Sequence, residues 1–473
     1  MSDGTTPERL DAERRLFVDL IDVDRRDNVS LTFHQARKHG LPVLEQEEPW
    51  ERMGGMTASV IYDHEEGVFK AWYMAGMYAP GKEHVQCLAL SDDGINWTKP
   101  VLGLHEALGN TDNNIVVPAE YHDGRDHFET MMKDPMDPDP ERRYKALGWA
   151  SYDWDGPLSG IYTGTSPDGM RWTFTPEPIV RHHPRPGTAD LGPIGDAQAM
   201  MIDTRRKRYV AMLRGAMDHP GWRVMSVSED FVTWTKPERF LLYLNHEESL
   251  YNNNGFVYGA QYLGILTHFD RRAEHQSQTL KLLTSRDGDV WMRAPASEPL
   301  VGLGEVGDWD RFQIMLTGAP PIPVGDRLHI YYRGTSRRHN KVVGEFEPRI
   351  DPDQERGGMS IGLATLRLDG FASIDASYDG GTITTVPFEL AGAELHVNAK
   401  CDFGRISAEL LDEGYRPIPG HAADDCIAVS ADATDQVIRW RGEAAGRSLS
   451  AIAAPARIRF HMANSRFYSY WLQ

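Results

Sequence analysis

The stretch Ser91-Asp-Asp-Gly-Ile-Asn-Trp97 recurs along the chain and decides how the sequence is organised. Two copies keep its Asp-Gly pair, Ser166-Pro-Asp-Gly-Met-Arg-Trp172 and Ser285-Arg-Asp-Gly-Asp-Val-Trp291. A fourth copy, Ser228-Glu-Asp-Phe-Val-Thr-Trp234, has Phe in place of the glycine. The spacing indicates a supersecondary unit of about 60 to 75 residues that is repeated in a ring or a stack.

The residue types of this stretch are those of a tight turn. The Asp carboxylate can accept backbone N–H groups two residues further on, and the glycine supplies the positive φ that closes a hairpin. The Trp, three residues past the glycine, has the area to pack between neighbouring sheets. We therefore interpret the repeats as structural turns rather than as ligand sites.

An aromatic-apolar segment occurs five times between these turns. Each copy lies between two other strand-like segments, and no helical stretch separates the units. The first strands of the five units are expected over 57–63, 129–134, 198–203, 255–258 and 312–319. Short strands at even spacing with an aromatic signature predict an all-β fold, a five-bladed β-propeller. An extended solenoid is the alternative, which the unequal loops and the lack of capping repeats disfavour. The five copies are Phe69–Ala75, Tyr144–Ala150, Tyr209–Gly215, Tyr262–His268 and Leu328–Gly334.

The period stops after Leu368-Asp-Gly370. Residues 371–473 alternate apolar and polar side chains instead, as in Leu395/Val397/Ala399, and predict a C-terminal antiparallel β-sandwich. At the other end, Thr6-Pro-Glu8 predicts a helix start, so that residues 6–15 form a short helix. Strands are expected over 16–21 and 29–34. The predicted domains are an extension packing on the propeller (1–44), the propeller (45–370) and the sandwich (371–473).

The composition excludes several classes of partner. The net charge is −19, and no basic stripe could neutralise nucleic-acid phosphates or bind an anionic membrane. The first fifteen residues are polar, and no apolar run approaches a membrane span. Three cysteines cannot form a disulfide framework. The sequence thus predicts a cytoplasmic protein and leaves the oligomeric state open, a homo-oligomer included.

With these features in view, the chain resembles the five-bladed β-propeller glycoside hydrolases, which include β-fructosidase (invertase-like) and arabinofuranosidase/xylosidase enzymes. The likeness covers roughly residues 45 to 473. Where β-fructosidases have Asn-Asp-Pro-Asn, this chain has Trp50-Glu51. Lys133-Asp-Pro135 stands in the place of their second-blade Arg-Asp-Pro, and Asp196 lies nearest the place of their third-blade Glu-Cys. Sialidases share the Asp turns but have six blades and an arginine triad, and they fit less well.

Glycoside cleavage needs two carboxylates at the channel mouth, one to protonate the leaving oxygen and one to act as nucleophile or base. Acids just before or within the inner strands are the candidates. Asp196 is favoured because it follows a glycine and because Gln198 would share its face. Asp134 begins a proline-rich turn and matches acids at the equivalent hairpins, which favours a structural role and moves Glu129 ahead of it. The catalytic candidates are Asp196, Glu129, Glu248, Asp310 and Asp134.

Polar and aromatic residues near these acids are candidates for sugar binding. Arg214 and Arg333 end second strands, where arginines bridge blades or, as the alternative, bind an anionic substrate. No spacing of His, Asp and Glu amounts to a metal motif, and there is no phosphate loop, so neither a metal nor a cofactor is predicted. The substrate-binding candidates are Glu51, Trp50, Gln198, His127, Asn253 and Arg311.

The sequence therefore predicts a glycoside hydrolase that cleaves a small oligosaccharide or a glycoside, a furanoside among the candidates, with carbohydrate as its only predicted partner. One alternative is a glycoside phosphorylase or lyase on the same scaffold. The other is a non-catalytic carbohydrate-binding propeller, which the absent first-blade and third-blade signatures favour.

Overall fold

A computed structural model of the chain describes residues 7–51, 57–79, 82–118, 126–150, 158–182, 194–195, 197–215, 222–241, 248–272, 276–339 and 359–473. In these ranges the regular structure consists of β-strands and short 3-10 turns, with no α-helix. No helix in the described ranges has the length and apolar character that crossing a bilayer requires.

The first half of the chain forms antiparallel sheets whose strands follow chain order. Sheet I contains Ala58–Asp63, Val68–Ala79, Lys82–Ser91 and Ile115–Val117. Sheet II contains Asp126–Lys133, Tyr144–Ala150 and Gly160–Ser166, with both Thr173–Phe174 and Val180–Arg181 paired to its third strand. Sheet III contains Ala199–Asp203, Arg208–Gly215, Trp222–Ser228 and Glu238–Leu241.

The next two meanders are joined by one bridge, between Gln278 and Gln313. Sheet IV contains Glu248–Asn253, Phe256–Tyr258, Gln261–Asp270, Ser277–Ser285 and Met292–Arg293. Sheet V contains Gln313–Leu316, Ile322–Val324, Arg327–Thr335 and Ser360–Arg367. Its outermost strand comes from the N-terminal region, because Arg37–Lys38 pairs with Ser360–Arg367.

The predicted second strands are confirmed in all five sheets, and the predicted first strands lie close to their observed places. Sheet IV is the exception. The prediction placed its first strand at 255–258, but the longer inner strand is Glu248–Asn253 and Phe256–Tyr258 is a short continuation. The run Asn252-Asn-Asn254 makes this strand hard to recognise in the sequence, because Asn is uncommon in strands.

Hydrogen bonds between neighbouring sheets, all but one of them between first strands and the residues that flank them, close the sheets into a ring. Because the last sheet bonds to the first, the ring has no open side, and the fold is a β-propeller. The bonds run from Thr57 Oγ1 to Phe128 O (3.2 Å), Met200 N to Thr130 Oγ1 (3.0 Å), Arg223 Nε to Asn253 Oδ1 (2.6 Å), Asn254 Nδ2 to Ala319 O (3.2 Å) and Gly318 N to Ala58 O (2.8 Å).

The repeated turns have the predicted hydrogen bonds. In the first copy, Asp93 Oδ1 accepts from the N–H groups of Ile95 (2.8 Å) and Asn96 (2.7 Å). Gly94 has φ 73°, and a Cβ there would collide with the hydroxyl of Tyr331 in sheet V. In the copy without glycine, Phe231 adopts φ 63°. The turns are therefore structural, as the sequence predicted, and pack against a neighbouring sheet.

The C-terminal region forms two further sheets, and N-terminal strands belong to both. Sheet VI has, in order, Cys426–Ile427, Asp432–Trp440, Leu395–Lys400, Ser465–Leu472, Ala372–Ala376 and Ser30–Phe33, with Arg15–Leu16 also on Ser465–Leu472. Sheet VII has Val23–Asp27, Gly381–Thr385, Arg457–Ala463 and Arg405–Leu411. Between them lies an apolar core that includes Phe17, Ile383 and Phe460.

The predicted helix over 6–15 is wrong. Arg9–Leu10 is a strand that pairs in parallel with Glu389–Leu390, and Arg15–Leu16 pairs with Ser465–Leu472 of sheet VI. Leu10 and Leu16 are buried in these pairings. Burial against distant strands outweighs the local capping signal, because helix propensity is a weak preference.

Asp369, the residue at which the repeat ends, connects the ring to both terminal regions. Its Oδ1 accepts from the Tyr258 hydroxyl of sheet IV (2.9 Å). Its Oδ2 accepts from Arg14 Nη1 (2.6 Å), Asn398 Nδ2 (2.9 Å) and Ser469 Oγ (2.6 Å). The carboxylate is fully buried and serves as a structural joint.

Candidate active site at the hub of the ring

Glu129 lies at a β-bulge on the inner strand of sheet II. The register between Asp126–Lys133 and the next strand shifts between Phe128 and Thr130, so Glu129 is the extra residue of the bulge. A bulge of this kind turns a side chain out of the direction that it would have in the regular alternation of a strand. The side chain remains buried, since Glu129 is only 4% exposed.

Three sheets converge on Glu129. Its Oε2 accepts a hydrogen bond from the backbone N–H of Gln198 in sheet III (2.7 Å). Its Oε1 is 3.6 Å from Nη2 of Arg333 in sheet V. Gly318, also from sheet V, packs so closely that a Cβ there would collide with the Glu129 carbonyl oxygen. The carboxylate is therefore at the hub, where the inner strands meet.

The side chain of Gln198 is 0% exposed, and neither its Oε1 nor its Nε2 has a hydrogen-bond partner. An unpaired buried amide costs about 1–3 kcal/mol for each group left unsatisfied. Such groups are rare in folded proteins and need an explanation, for which a ligand or a trapped water is the usual one. Gln198 was predicted to bind a sugar hydroxyl, and its position next to Glu129 is compatible with that role.

Arg223, which the sequence analysis did not single out, holds the backbone around the hub. Its guanidinium donates to Asn253 Oδ1 (2.6 Å) and to the carbonyl oxygens of Ala197 (3.0 Å), Tyr251 (2.9 Å) and Met212 (3.0 Å). Burial, followed by repulsion from Arg214, lowers the pKa of Arg223 to about 9 despite attraction to Glu129. The group remains charged at neutral pH. An arginine inside the apolar strand Trp222–Ser228 is the signal that could have revealed it.

Asp134 belongs to a repeated contact between neighbouring sheets and not to the hub. We call this contact a bracket: an aspartate pairs with a cation of its own sheet and accepts a hydrogen bond from a tyrosine of the next sheet. It follows the last residue of the strand on which Glu129 lies. Its Oδ2 is 3.0 Å from Lys145 Nζ of its own sheet and accepts from the Tyr209 hydroxyl of sheet III (2.5 Å). Asp63 and Asp203 form the same bracket, with Tyr144 and Tyr262 as the respective tyrosines of the next sheet.

Two further candidate acids, Glu248 and Asp310, are held in ion pairs. Glu248 is 3.2 Å from both Arg293 Nη1 and His268 Nε2. Burial would raise the pKa of Glu248, but Arg293 and His268 outweigh it, so that the pKa is lowered. Asp310 Oδ2 accepts from Lys38 Nζ (2.9 Å) and the Tyr332 hydroxyl (2.8 Å).

Glu51 and Trp50 lie in a separate buried network. Glu51 accepts from Lys99 Nζ (2.7 Å), the Tyr73 hydroxyl (2.5 Å) and two backbone N–H groups. Trp50 Nε1 donates to Asn114 Oδ1 (3.0 Å). These contacts use every carboxylate oxygen of Glu51 in packing the segment before sheet I.

The structure places the other predicted binding residues as follows. Asn253 contacts Arg223 through its Oδ1 and Met212 Sδ through its Nδ2 (3.0 Å), which makes it part of the hub wall. Arg311 lies over the ring of Phe312, 4.7 Å from its centroid. Asp196 lies outside the described residues, as does the side chain of His127. The structure thus brings Glu129, Gln198 and Asn253 to the hub.

Among the described residues, the hub offers one carboxylate, an unpaired amide and nearby arginines. These groups can accept and donate hydrogen bonds and can take up or release a proton, but glycoside cleavage also needs a second carboxylate. Over the described part of the chain, no group of three or more His, Cys, Asp or Glu side chains could hold a metal ion.

No family model matches the sequence, and no curated protein matches it either. Among solved structures, an N-acetylgalactosamine deacetylase from F. plautii is 18% identical, with 72% of this chain and 96% of that one covered at a TM-score of 0.47. A structure described as a glycoside hydrolase is 12% identical (70% and 92% covered, TM-score 0.49). The catalytic domain of an α-L-arabinofuranosidase from Coprinopsis cinerea is 13% identical (70% and 97%, TM-score 0.42). With every one of these TM-scores below 0.5, the fold assignment rests on the strand pairing described above.

Proposed function

We propose that the protein is a glycoside hydrolase acting on a small oligosaccharide or a glycoside. In this proposal sheets I–V are the blades of a five-bladed propeller (45–370), and residues 371–473 form a β-sandwich. The observation that carries the proposal is Glu129, a carboxylate buried at the hub by a bulge and surrounded by residues of other sheets.

Glu129 has the contacts of a nucleophile or base. Its Oε2 accepts a backbone N–H and its Oε1 faces Arg333, contacts that suit an ionised carboxylate. Protonation of the leaving oxygen needs a second carboxylate. We assign that role to Asp196, which stands two positions before Gln198 in the sequence. Gln198 would hold a sugar hydroxyl, and Arg223 positions the surrounding backbone.

The test is substitution of each proposed acid by its amide. We expect E129Q and D196N each to lower kcat at least about 100-fold, the range of general acid–base catalysis. The control is E409Q, because Glu409 is also a buried glutamate in ion pairs, with Arg459 and His461 in sheet VII. E409Q should keep its kcat on whichever substrate a panel of chromogenic glycosides, with furanosides and uronides included, identifies.

Full activity of both amide variants would disprove this site. Sugar binding by calorimetry without any product across the panel would favour the non-catalytic alternative instead.

The arginines favour a glycoside phosphorylase as the second candidate. Arg333 is 3.6 Å from the carboxylate of Glu129, and Arg214 is close enough to Arg223 to lower its pKa. Guanidinium groups suit phosphate, which would then replace water as the acceptor. Product formation that requires inorganic phosphate would establish this candidate.

A further inference from the structure

Sheet IV has three buried side chains whose polar atoms are without hydrogen-bond partners. Ser249 is 1% exposed, and Asn252 and Gln278 are each 0% exposed. The unpaired atoms are Ser249 Oγ, both polar atoms of Asn252 and both polar atoms of Gln278. Five such atoms in one sheet are a concentration that packing alone does not explain.

The strand register places these side chains on one face. Ser249 and Gln278 both pair with Phe269, so the three residues form one row across three strands. Asn252 pairs with Thr267, two residues along the same face. The register shift between Leu250 and Asn252 is what returns Asn252 to the face of Ser249, since three residues of regular strand would oppose them.

This face, which we call the sheet IV polar face (Ser249, Asn252 and Gln278), is directed towards sheet V. Thr267, which lies on it, accepts a hydrogen bond from Leu316 N of sheet V (3.0 Å). The ring of His339 stands perpendicular to that of Phe269 at 4.7 Å and to that of Tyr251 at 5.1 Å. Tyr251 and His339 are half-buried, so aromatic rings border the face where it approaches solvent.

The sheet IV polar face adjoins the hub. Leu316 of sheet V, which donates to Thr267 on this face, accepts a hydrogen bond through its carbonyl oxygen from Arg333 Nε (2.9 Å). Nη2 of the same arginine is 3.6 Å from Glu129 Oε1. One arginine therefore links the proposed carboxylate to the strand that this face packs against.

We propose that the sheet IV polar face is a subsite for one uncharged sugar unit of the substrate. This inference rests on the proposed function and adds the class of substrate, a glycoside with a neutral unit next to the cleaved bond. Amide and hydroxyl groups supply both donors and acceptors, as sugar hydroxyls require, whereas none of the three side chains carries a charge that would attract a uronate or a phosphate.

The proposal is tested with neutral monosaccharides as probes. Arabinose, xylose, mannose, galactose and fructose are each titrated against the full-length protein, and thermal unfolding gives the apparent Kd. We expect at least one to raise the Tm of the wild type and of E129Q alike, because E129Q leaves the sheet IV polar face intact. Glucuronate and galacturonate should give no comparable shift.

The variants N252L and Q278M should raise the apparent Kd for that sugar at least about tenfold, which corresponds to a loss of about 1.4 kcal/mol of binding free energy. Without sugar they should keep or raise the Tm, because the atoms they remove have no partner in the protein. S249A removes a single atom and decides the question by the same measurement should the larger changes prevent folding. The matched control is Y470F, since the Tyr470 hydroxyl is likewise buried and unpaired but belongs to sheet VI.

Three results would overturn the subsite. They are a sugar response that survives in N252L and Q278M, the absence of any response in the wild type, and a lowered Tm of the variants without sugar, which would mean that the atoms hold trapped water only. Loss of kcat in E129Q is read separately, so the subsite and the catalytic proposal can fail independently.

Discussion

Buried amides have opposite surroundings at the hub of the ring and in the C-terminal sheets. Asn398 of sheet VI is fully buried and uses both ends of its amide, accepting from Arg367 Nε (2.8 Å) and donating to Leu368 O (2.7 Å) and Asp369 Oδ2 (2.9 Å). Gln198 and Asn252 are equally buried in the ring and have no partner at either end. The amide group is thus part of a completed network at Asn398, as it is at Asn253 in the hub wall, and is unpaired at Gln198 and Asn252.

The difference separates side chains that hold the fold from side chains available to a ligand. A satisfied polar network fixes a structure, while an unsatisfied buried group lowers stability unless something else binds it. The carboxylates divide in the same way. Asp63, Asp134 and Asp203 are enclosed by brackets of lysine or arginine and tyrosine. Glu129 is turned out of its ladder by a bulge.

The largest loss of stability is expected when the bracket of Asp63 is broken. In D63N the ammonium groups of Lys70 (3.2 Å) and Lys133 (2.7 Å) lose their common carboxylate, whose side chain is 0% exposed. Removing one partner of a buried pair costs about 3–5 kcal/mol. We expect a loss of this size in the free energy of unfolding, measured with urea at pH 7.

The pH dependence of the free energy of unfolding tests the same bracket a second time. Burial would raise the pKa of Asp63, but hydrogen bonds from Lys133, Tyr144 and Lys70 outweigh it and hold the pKa far below its ordinary value. A lowered folded-state pKa stabilises the fold above the unfolded value, about 3.9, and this contribution is lost as the pH falls below it. The difference between wild type and D63N should therefore shrink from pH 7 to pH 3. A difference that is independent of pH would contradict the bracket.

A smaller effect is expected for N398L. This change removes three hydrogen bonds and leaves Arg367 Nε and the Leu368 carbonyl without that partner. The cost should be about 2 kcal/mol, the penalty for leaving buried groups unsatisfied. The measurement is again urea unfolding. If N398L leaves the free energy of unfolding unchanged, the contrast between the paired amide of Asn398 and the unpaired amides of the ring does not hold.

The smallest effect on stability is expected for Q198M. Methionine has nearly the volume of glutamine, and the atoms that it replaces have no partner, so the free energy of unfolding should change by less than about 1 kcal/mol. KM for the glycoside substrate should nevertheless rise, because a group that binds the sugar is lost. Strong destabilisation with an unchanged KM would place Gln198 with Asn398 among the structural amides.

Much of the ring could be predicted from the sequence, because its signals are local. The second strands are continuous apolar runs beginning at residues such as Tyr144, and the Asp turns form hydrogen bonds within a few residues, as Asp93 does. Asp134 was recognised as a turn acid for the same reason. Local patterns of this kind do not depend on the tertiary fold.

The hub could be predicted only in part. Glu129 and Gln198 were named from their positions on inner strands, but the bulge that re-aims Glu129 depends on pairing with Gly148 and Leu147 rather than on any residue type. The four contacts of Arg223 join distant segments, and no sequence spacing shows them. The strand expected over 29–34 is confirmed by Ser30–Phe33. The strand Arg9–Leu10, by contrast, was mistaken for part of a helix because its partner, Glu389–Leu390, lies at the other end of the sequence.

The N-terminal strands also determine the order of assembly. Arg15–Leu16 needs the strand Ser465–Leu472, and Arg37–Lys38 can complete sheet V only after Ser360–Arg367 exists. Contacts between residues so far apart in sequence are slow to form. On the ribosome, these two strands are made long before their partners and must wait for them, with their edges unpaired meanwhile. They can therefore take their places only after the strands of both later sheets have been synthesised.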